Sequence, residues 1–298
     1  MAHQHDTPNY NRAFSLGVSL NIVFVGVEAT YGVLTGSLAL VADAGHNLSD
    51  VLSLLLAWGA SILATRKPTP RRSYGFRRAT ILASLLSALL LLLVLGGIAW
   101  EAIGRLSTPR PVSGGTIIMV AGLGVVINTA TALFFVSGRK HDLNIRGAYL
   151  HMAADAGVSL GVVIAGLAIM TTGWLWLDPT ISLLISALIL MSTWGLLRDS
   201  VNLALDSVPD TIDPVAVETY LSGLPDVATV HDLHIWAMST TEVALTAHLV
   251  VPRRWADDSF VHQISHRLRD RFGIDHATLQ IERSEEEPFC KQAAPESV

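Results

Sequence analysis

Six runs of about twenty apolar residues dominate this chain and restrict its fold more than any other feature. A helix needs about 20 residues to cross the roughly 30 Å hydrocarbon core of a bilayer. Only 15% of the residues are charged, against about 25% in soluble chains. The sequence therefore predicts membrane-spanning helices over residues 13–34, 39–64, 79–101, 116–137, 147–170 and 179–198.

The basic residues of the connecting loops are unevenly distributed. The loops after the second and fourth runs carry Arg66, Lys67, Arg71, Arg72, Arg77, Arg78, Arg139, Lys140 and Arg146. The opposite loops hold only Arg105 and Arg110. Lysine and arginine concentrate in cytoplasmic loops, and six crossings place both termini on one side. We therefore expect a multi-pass protein of the cell membrane, or of the inner membrane in a Gram-negative source, with both termini cytoplasmic.

Composition and the first residues exclude several classes of protein. The one cysteine, Cys290, permits neither an intrachain disulfide nor a metal site built only from cysteines. The opening MAHQHDTPNY lacks the basic segment and cleavage motif of a signal peptide, so the first apolar helix is expected to direct insertion. The net charge of −5 is modest, and no nucleic-acid partner is expected.

The residue pattern changes after the sixth run. Residues 201–284 alternate amphipathic and strand-like segments in the order α-β-β-α-β, which is typical of a ferredoxin-like α+β domain. The predicted fold is thus an α-helical membrane protein with a C-terminal cytoplasmic α+β domain. Its organisation is a cytoplasmic tail over 1–12, a six-helix transport domain over 13–200, the domain over 201–284 and a disordered tail over 285–298.

Two of the apolar runs contain the same pattern of ionisable residues. The second run holds His46 and Asp50, and the fifth holds His151 and Asp155, each as His-x-x-x-Asp. Residues four apart in a helix share one face at nearly one height. Two such helices packed together offer two imidazoles and two carboxylates, which suit tetrahedral Zn²⁺ better than the oxygen-only shells of Mg²⁺ or Ca²⁺.

A structural role for these residues is the alternative. Each could be a polar residue that hydrogen-bonds neighbouring helices, but a charged side chain near the bilayer centre costs roughly 2.5–3.5 kcal/mol. Two pairs at the same spacing favour metal ligands. Asp43, three residues before His46, is either an acceptor that orients the imidazole, a carboxylate on the ion's path, or a helix-start residue. Glu28 is as consistent with interhelical hydrogen bonding as with a place on the pathway.

Several motifs resemble the cation diffusion facilitator family, in particular its zinc-transporting members. They are GSLALVADAGHNLSD, the YGFRR turn, HMAADAG, HDLHIW and HATLQIE, and they cover nearly the whole chain. The resemblance implies a homodimer of six-helix protomers in membrane lipid that exchanges divalent metal ions for protons. It implies that His46, Asp50, His151 and Asp155 form the transport site. Histidine at position 46 is similar to the zinc-selective members, and cadmium or cobalt transport is also consistent with the family.

The loop after the second run departs from some family members. They hold a metal ion there with histidine and aspartate, but this loop has neither between Arg66 and Arg78, so we expect no metal in it. Thr80 stands where many relatives have glutamate. Arg78 falls near a basic residue that, in the family, pairs with an acidic residue after the sixth helix, here Asp206. The resemblance thus implies an Arg78–Asp206 interlock, and surface solvation is the alternative.

Six of the 11 histidines fall in the C-terminal domain. The resemblance implies a regulatory Zn²⁺ site at the dimer interface, formed by His231, His248, His276 and Glu282, with ordinary surface histidines as the alternative. Strand alternation predicts that His231 and His234 face opposite ways, so that at most one of them joins His248. His262 and His266 are expected on a solvated helix face. His3, His5 and Cys290 could cap the regulatory site.

These features predict a secondary transporter that exports Zn²⁺ from the cytoplasm in exchange for protons by alternating access. Zinc ligands must be neutral histidine and ionised aspartate, so metal binding releases protons. The chain has no GxxxxGK[ST] loop for ATP. Two alternatives are a membrane-embedded metalloenzyme, which would need a general base and has no HExxH motif, and a metal sensor without transport.

Overall fold

The computed structural model describes residues 11–136, 143–252 and 258–283. The chain divides into two compact units, Met1–Leu55 with Ser87–Gly195 and Leu56–Leu86 with Leu196–Val298. Residues 285–298 and most of 1–12, predicted as tails, lie outside the described residues, as do His3, His5 and Cys290.

The six predicted spans are helices. They are α1 (Asn11–Thr35), α2 (Leu38–Ala64), α3 (Ala79–Ser107), α4 (Gly114–Phe135), α5 (Leu143–Thr172) and α6 (Leu177–Ala204). Five of them, α2 to α6, are long and apolar enough to cross a membrane, and α1 is apolar over Ser19–Thr35. Most extend beyond the predicted ends because polar residues continue the helix past the apolar run.

The surface of these helices is apolar, and several polar side chains are inside. Trp100, Met191 and Leu34 are 82%, 76% and 75% exposed, whereas Glu28 and Asn128 are fully buried. In water this distribution would expose a large apolar surface that promotes aggregation, but in a bilayer lipid covers the apolar side chains. The chain is a multi-pass membrane protein.

A buried carboxylate fixes the start of α2. Asp178 of α6 accepts hydrogen bonds from Ser37 Oγ at 2.5 Å and from the backbone N–H groups of Leu38 and Ala39 at 2.8 and 3.3 Å. The first N–H groups of a helix have no hydrogen-bond acceptor within that helix, so the Asp178 carboxylate of α6 serves as the acceptor for α2. Gly36, whose φ of +68° suits glycine, makes the turn before them. This anchor fixes the position of the first turn of α2.

Glycines bring α4 and α5 into backbone contact. A Cβ at Gly114 would lie 2.6 Å from the carbonyl oxygen of Gly166, and one at Gly166 would lie 2.9 Å from Ile117. A Cβ at Gly124 would lie 2.6 Å from the Phe24 ring of α1. Small residues permit such close approach in membranes.

The C-terminal domain has the predicted order of elements. They are α7 (Pro214–Ser222), β1 (Thr229–Ala237), β2 (Val243–Val250), α8 (Asp258–Phe272) and β3 (His276–Glu282). The sheet order is β1-β2-β3, with β1 antiparallel and β3 parallel to β2. The parallel pair requires a crossover, which α8 supplies. Leu221, Leu245 and Leu268 are fully buried between the helices and the sheet. The prediction of a small α+β domain is confirmed.

The first turn of α3 is bonded to this domain. Thr80 Oγ1 accepts a hydrogen bond at 3.1 Å from the backbone N–H of Thr240 in the β1–β2 turn. Arg77 Nη1 lies 2.7 Å from the Glu242 carboxylate. These bonds attach the start of α3 to the β1–β2 hairpin.

Candidate functional site

The His-x-x-x-Asp pairs of α2 and α5 face each other. His46 Nε2 lies 3.4 Å from Asp155 Oδ1 and 3.8 Å from Asp50 Oδ2. His151 Nε2 lies 3.3 Å from Asp50 Oδ2 and 3.6 Å from Asp155 Oδ2. The two imidazole rings are 6.2 Å apart between centroids, at 75° to each other. The structure thus brings together all four residues that the sequence pattern selected.

These spacings can be compared with those of a bound ion. A tetrahedral Zn²⁺ with ligand distances of about 2.0–2.2 Å separates neighbouring ligand atoms by about 3.3–3.6 Å. The four nitrogen–oxygen distances, 3.3 to 3.8 Å, lie in or just above this range. Among the described residues, however, ligand atoms that all lie within 4.8 Å of one another are found at His231, His248 and Glu282 and not at these four, so the four side chains must move to surround one ion.

Access to the four side chains differs from one end of the site to the other. Asp50 and His151, nearer the end of α2 and the start of α5, are 34% and 42% exposed. His46 and Asp155 are 18% and 2% exposed. The half of the site nearer the end of α2 and the start of α5 is therefore the more exposed half.

A layer of buried polar residues closes the other side. Asp43 Oδ2 accepts a hydrogen bond from Ser159 Oγ at 3.0 Å, and Asn47 donates to Glu28 at 3.3 Å. All four are at most 1% exposed. The imidazole of His46 does not donate to Asp43, since its Nδ1 has no hydrogen-bond partner among the described residues. Asn47, which the sequence pattern did not single out, belongs to this layer.

A second cluster lies on the sheet of the C-terminal domain. His231 and His248 are directly opposite each other on β1 and β2, with ring centroids 5.1 Å apart. Glu282 of β3 places its carboxylate oxygens 3.4 Å from His231 Nε2 and 3.1 Å from His248 Nδ1. One ligand atom from each of the three residues lies within 4.8 Å of the others, so these side chains could hold a metal ion.

His276 is not part of this cluster. It starts β3, six residues before Glu282, and strand geometry separates the two by about 20 Å. Its exposed ring instead lies edge-on to Tyr74, with centroids 5.7 Å apart. Within one chain His276 does not join His231, His248 and Glu282, because it is at the opposite end of the strand, and its place in a site between two protomers stays a prediction.

The prediction that His231 and His234 face opposite ways is also wrong. His231 pairs with His248 but His234 pairs with Thr246, so two residues on β1, Asp232 and Leu233, lie opposite one on β2, Ala247. The irregularity lies at Asp232, whose φ of +51° is left-handed. A β-bulge of this kind inserts one residue and reverses the alternation beyond it. Both histidines therefore face the same side of the sheet.

Asp232 is a residue that the sequence analysis missed. Its Oδ2 lies 3.3 Å from His248 Nε2 and its Oδ1 lies 2.8 Å from His234 Nε2. A carboxylate on the second nitrogen of a ligating histidine fixes the ring and raises its basicity as a ligand. The HDLHIW motif, with aspartate directly after His231, was the available signal.

The remaining candidates occupy simpler surroundings. Arg78 Nη2 lies 2.5 Å from Asp206 Oδ1, with both side chains about half exposed. His262 and His266 are exposed on α8, as predicted, and His266 pairs with Asp270 at 2.8 Å.

Comparisons with known proteins cover the whole chain. The family model for the cation efflux transmembrane domain matches residues 15–203, and that for the cation efflux protein cytoplasmic domain matches 209–284. The zinc transporter ZitB of Escherichia coli is 39% identical, across 95% of this chain and 93% of its own length. The metal cation efflux system protein CzcD of Cupriavidus metallidurans is 37% identical, across 98% and 92%.

Two further matches extend the comparison. The cadmium, cobalt and zinc/H(+)-K(+) antiporter of Bacillus subtilis is 34% identical, across 95% of this chain and 92% of its own length. The solved metal-bound C-terminal domain of CzcD from Cupriavidus metallidurans matches 24% of this chain and 99% of its own, with 33% identity and a TM-score of 0.23. From its two family domains and its full-length relatives, the chain belongs to the cation efflux, or cation diffusion facilitator, family, whose members are metal transporters and not enzymes.

Proposed function

We propose that this protein exports divalent metal ions, Zn²⁺ first, from the cytoplasm in exchange for protons. His46, Asp50, His151 and Asp155 are the ligands of the transported ion. The observation that carries the proposal is the alternation of two imidazole nitrogens with carboxylate oxygens at 3.3–3.8 Å. Relatives named for zinc, cadmium and cobalt support these ions as substrates.

The donor atoms account for the preference for zinc. Two nitrogen and two oxygen donors satisfy a tetrahedral ion of intermediate softness, and they leave a six-coordinate oxygen-seeking ion short of ligands. Cadmium and cobalt accept the same donors. The physical expectation is transport of Zn²⁺, Cd²⁺ and Co²⁺ ahead of Mg²⁺ and Ca²⁺.

Alternating access is supported by the gradient of burial along the site. With the C-terminal domain and both termini in the cytoplasm, the exposed Asp50 and His151 face the cytoplasmic side. The buried layer of Glu28, Asp43 and Ser159 lies on the outward side. In this conformation an ion enters from the cytoplasm, and its release requires α2 and α5 to open at that layer. Asp43, one turn outward of His46, is then a carboxylate on the exit path.

Proton exchange follows from the chemistry of the ligands. Histidine binds metal only when neutral and aspartate only when ionised, so protons and the metal compete for the same four side chains. Histidine changes its protonation near neutral pH, which makes His46 and His151 suitable carriers. Protons arriving from outside displace the ion there, and the loss of protons inside restores the site.

A regulatory metal site on the C-terminal domain is the second part of the proposal. His231, His248 and Glu282 supply three ligands, and Asp232 orients His248. The protein acts as a homodimer through this domain, where a second protomer or water completes the coordination. The Arg78–Asp206 pair links the start of α3 to the segment after α6 and acts as an interlock.

The test is zinc-dependent proton flux in proteoliposomes. Asp155→Ala removes the most buried ligand and should abolish the flux, whereas Glu218→Ala, on the exposed face of α7, should leave it unchanged. Intact flux in Asp155→Ala would refute the site. Metal binding by the wild-type protein without any flux would indicate a sensor instead of a transporter.

A further inference from the structure

An arginine-lined cavity lies beside the loop that joins α2 to α3. Its volume is about 830 Å³, and its walls come from this loop, from the segment after α6 and from β1. Four arginines line it, Arg71, Arg72, Arg77 and Arg78. His234 also lines the cavity, but His231, His248 and Glu282 do not.

Two of the four guanidinium groups are already neutralised. Arg77 pairs with Glu242 at 2.7 Å and Arg78 pairs with Asp206 at 2.5 Å. Within the described part of the chain, Arg71 and Arg72 make no ion pair, and both are exposed. The cavity therefore keeps two positive charges without a counter-ion.

The loop holds these charges in a defined geometry. Thr69 and Arg72 exchange two backbone hydrogen bonds of 3.0 and 2.9 Å, and Gly75 N–H donates to the Arg72 carbonyl at 2.9 Å. Gly75 has a φ of +68°, and a Cβ there would lie 3.0 Å from the Arg66 carbonyl oxygen. The Arg72 guanidinium lies 4.3 Å above the Phe76 ring, which occupies its face and leaves its N–H edge available. The N–H edge of Arg72, with Arg71 next to it in the lining of the cavity, suits a bidentate phosphate.

The position of the loop identifies the source of that phosphate. Arg71 and Arg72 are seven and eight residues after the last residue of α2, Ala64, and α3 begins at Ala79. Both flanking helices cross the membrane, so the cavity is at the bilayer surface on the side of the C-terminal domain. Anionic headgroups are concentrated there. We propose that this cavity binds the phosphate of an anionic phospholipid headgroup, with Arg71 and Arg72 as its ligands.

The experiment compares two double variants of the full-length protein with equal loss of charge. Arg71→Gln/Arg72→Gln empties the cavity of its unpaired charges, and Arg66→Gln/Lys67→Gln removes two charges from the same loop outside it. Native mass spectrometry of the detergent-solubilised protein would measure binding of dioctanoyl phosphatidylglycerol, dioctanoyl phosphatidylcholine and inorganic phosphate. A hydrogen bond to a charged group contributes on the order of tenfold in affinity, so the loss of two should weaken phosphatidylglycerol binding roughly 100-fold.

Three results would decide the proposal. A headgroup site would be supported if the cavity variant lost phosphatidylglycerol binding and the loop control retained it. Phosphatidylcholine should bind to neither of the two variants. Equal losses in both variants would overturn it, because they indicate charge attraction without a site. Inorganic phosphate binding as tightly as phosphatidylglycerol would overturn the lipid assignment in favour of a soluble phosphate ligand.

Discussion

His151 Nε2 on α5 lies closer to Asp50 on α2, at 3.3 Å, than to Asp155 on its own helix, at 3.6 Å. His46 shows the same preference, with 3.4 Å to Asp155 and 3.8 Å to Asp50. Each imidazole thus has its nearer carboxylate on the opposite helix. A proton on either histidine joins α2 to α5 by a charge-assisted hydrogen bond, much as a shared metal ion would. In the proposed exchange of metal for protons, the protonated histidines would therefore keep α2 and α5 attracted to each other.

Replacing one imidazole should alter which ion the site prefers. His46→Asp changes the donor set from two nitrogens and two oxygens to one nitrogen and three oxygens. The new set favours harder ions such as Mn²⁺. We expect the ratio of Zn²⁺ to Mn²⁺ uptake to fall on the order of tenfold or more, the scale on which metal sites respond to changed surroundings. Uptake of zinc, cadmium, cobalt, manganese and iron into everted vesicles with an imposed pH gradient measures it. His262→Asp on the exposed face of α8 is the control, and an unchanged ratio in His46→Asp would contradict the donor argument.

The cytoplasmic metal site should depend on three of the four residues first selected. In an Asp155→Ala background, which disables the transport site, His231→Ala and Glu282→Gln should each abolish zinc binding to the C-terminal domain. His276→Ala should leave it intact, since His276 lies at the far end of β3. Isothermal titration calorimetry with the full-length protein distinguishes them. Loss of binding in His276→Ala would mean that a second protomer brings this residue to the site.

The bulge residue should affect metal affinity and folding separately. Asp232→Asn keeps a residue type that tolerates a left-handed φ but removes the carboxylate charge that faces His248. Zinc affinity should therefore fall about 10-fold with little loss of stability. Asp232→Val places a β-branched side chain at a φ of +51° and should destabilise the domain by about 1–3 kcal/mol. Denaturant unfolding and zinc titration of both variants check this. Equal stability of the two would show that the left-handed conformation is not required.

Loss of the anchor on α2 should weaken the membrane domain. Asp178→Ala leaves the N–H groups of Leu38 and Ala39 without their acceptor, and helix caps contribute about 0.5–2 kcal/mol. We expect a lower thermal midpoint in detergent and weaker zinc binding, because α2 carries His46 and Asp50. Asp199→Ala, exposed on the same helix α6, is the matched control. A midpoint equal to that of the control would remove the anchoring role.

The Arg78–Asp206 pair should contribute modestly to stability. Both side chains are about half exposed, and exposed ion pairs are worth about 0.2–1 kcal/mol. A double-mutant cycle with Arg78→Ala and Asp206→Ala measures the coupling, and the swap Arg78→Asp/Asp206→Arg should recover part of the transport lost in either charge reversal. Full activity in the single reversals would exclude an interlock.

The sequence predicted the features that depend on local spacing. Apolar runs of helical length predicted the six helices, and the four-residue separation of His46 and Asp50 predicted a shared face. It did not predict the bulge at Asp232, because strict alternation assumes that no residue is inserted. The Asp178 anchor was also not predicted, because a single aspartate at the start of a span belongs to no sequence pattern that indicates its partner on another helix. Strand geometry could have predicted the separation of His276 from Glu282, but both residues were assigned to one site because of the resemblance to the family.

The glycine contacts between α4 and α5 limit how this protein can move. At Gly114 a Cβ would lie 2.6 Å from the Gly166 carbonyl oxygen and 3.0 Å from the Met170 Cβ, so the two helices have little space in which to slide or re-pack. The two helices should therefore travel as a single piece and carry His151 and Asp155 with them. Opening of the proposed pathway is then left to the surfaces of α2, whose first turn is held by Asp178. A methyl group at Gly114 would push the two helices apart and tilt His151 and Asp155, which are half of the proposed ligand set.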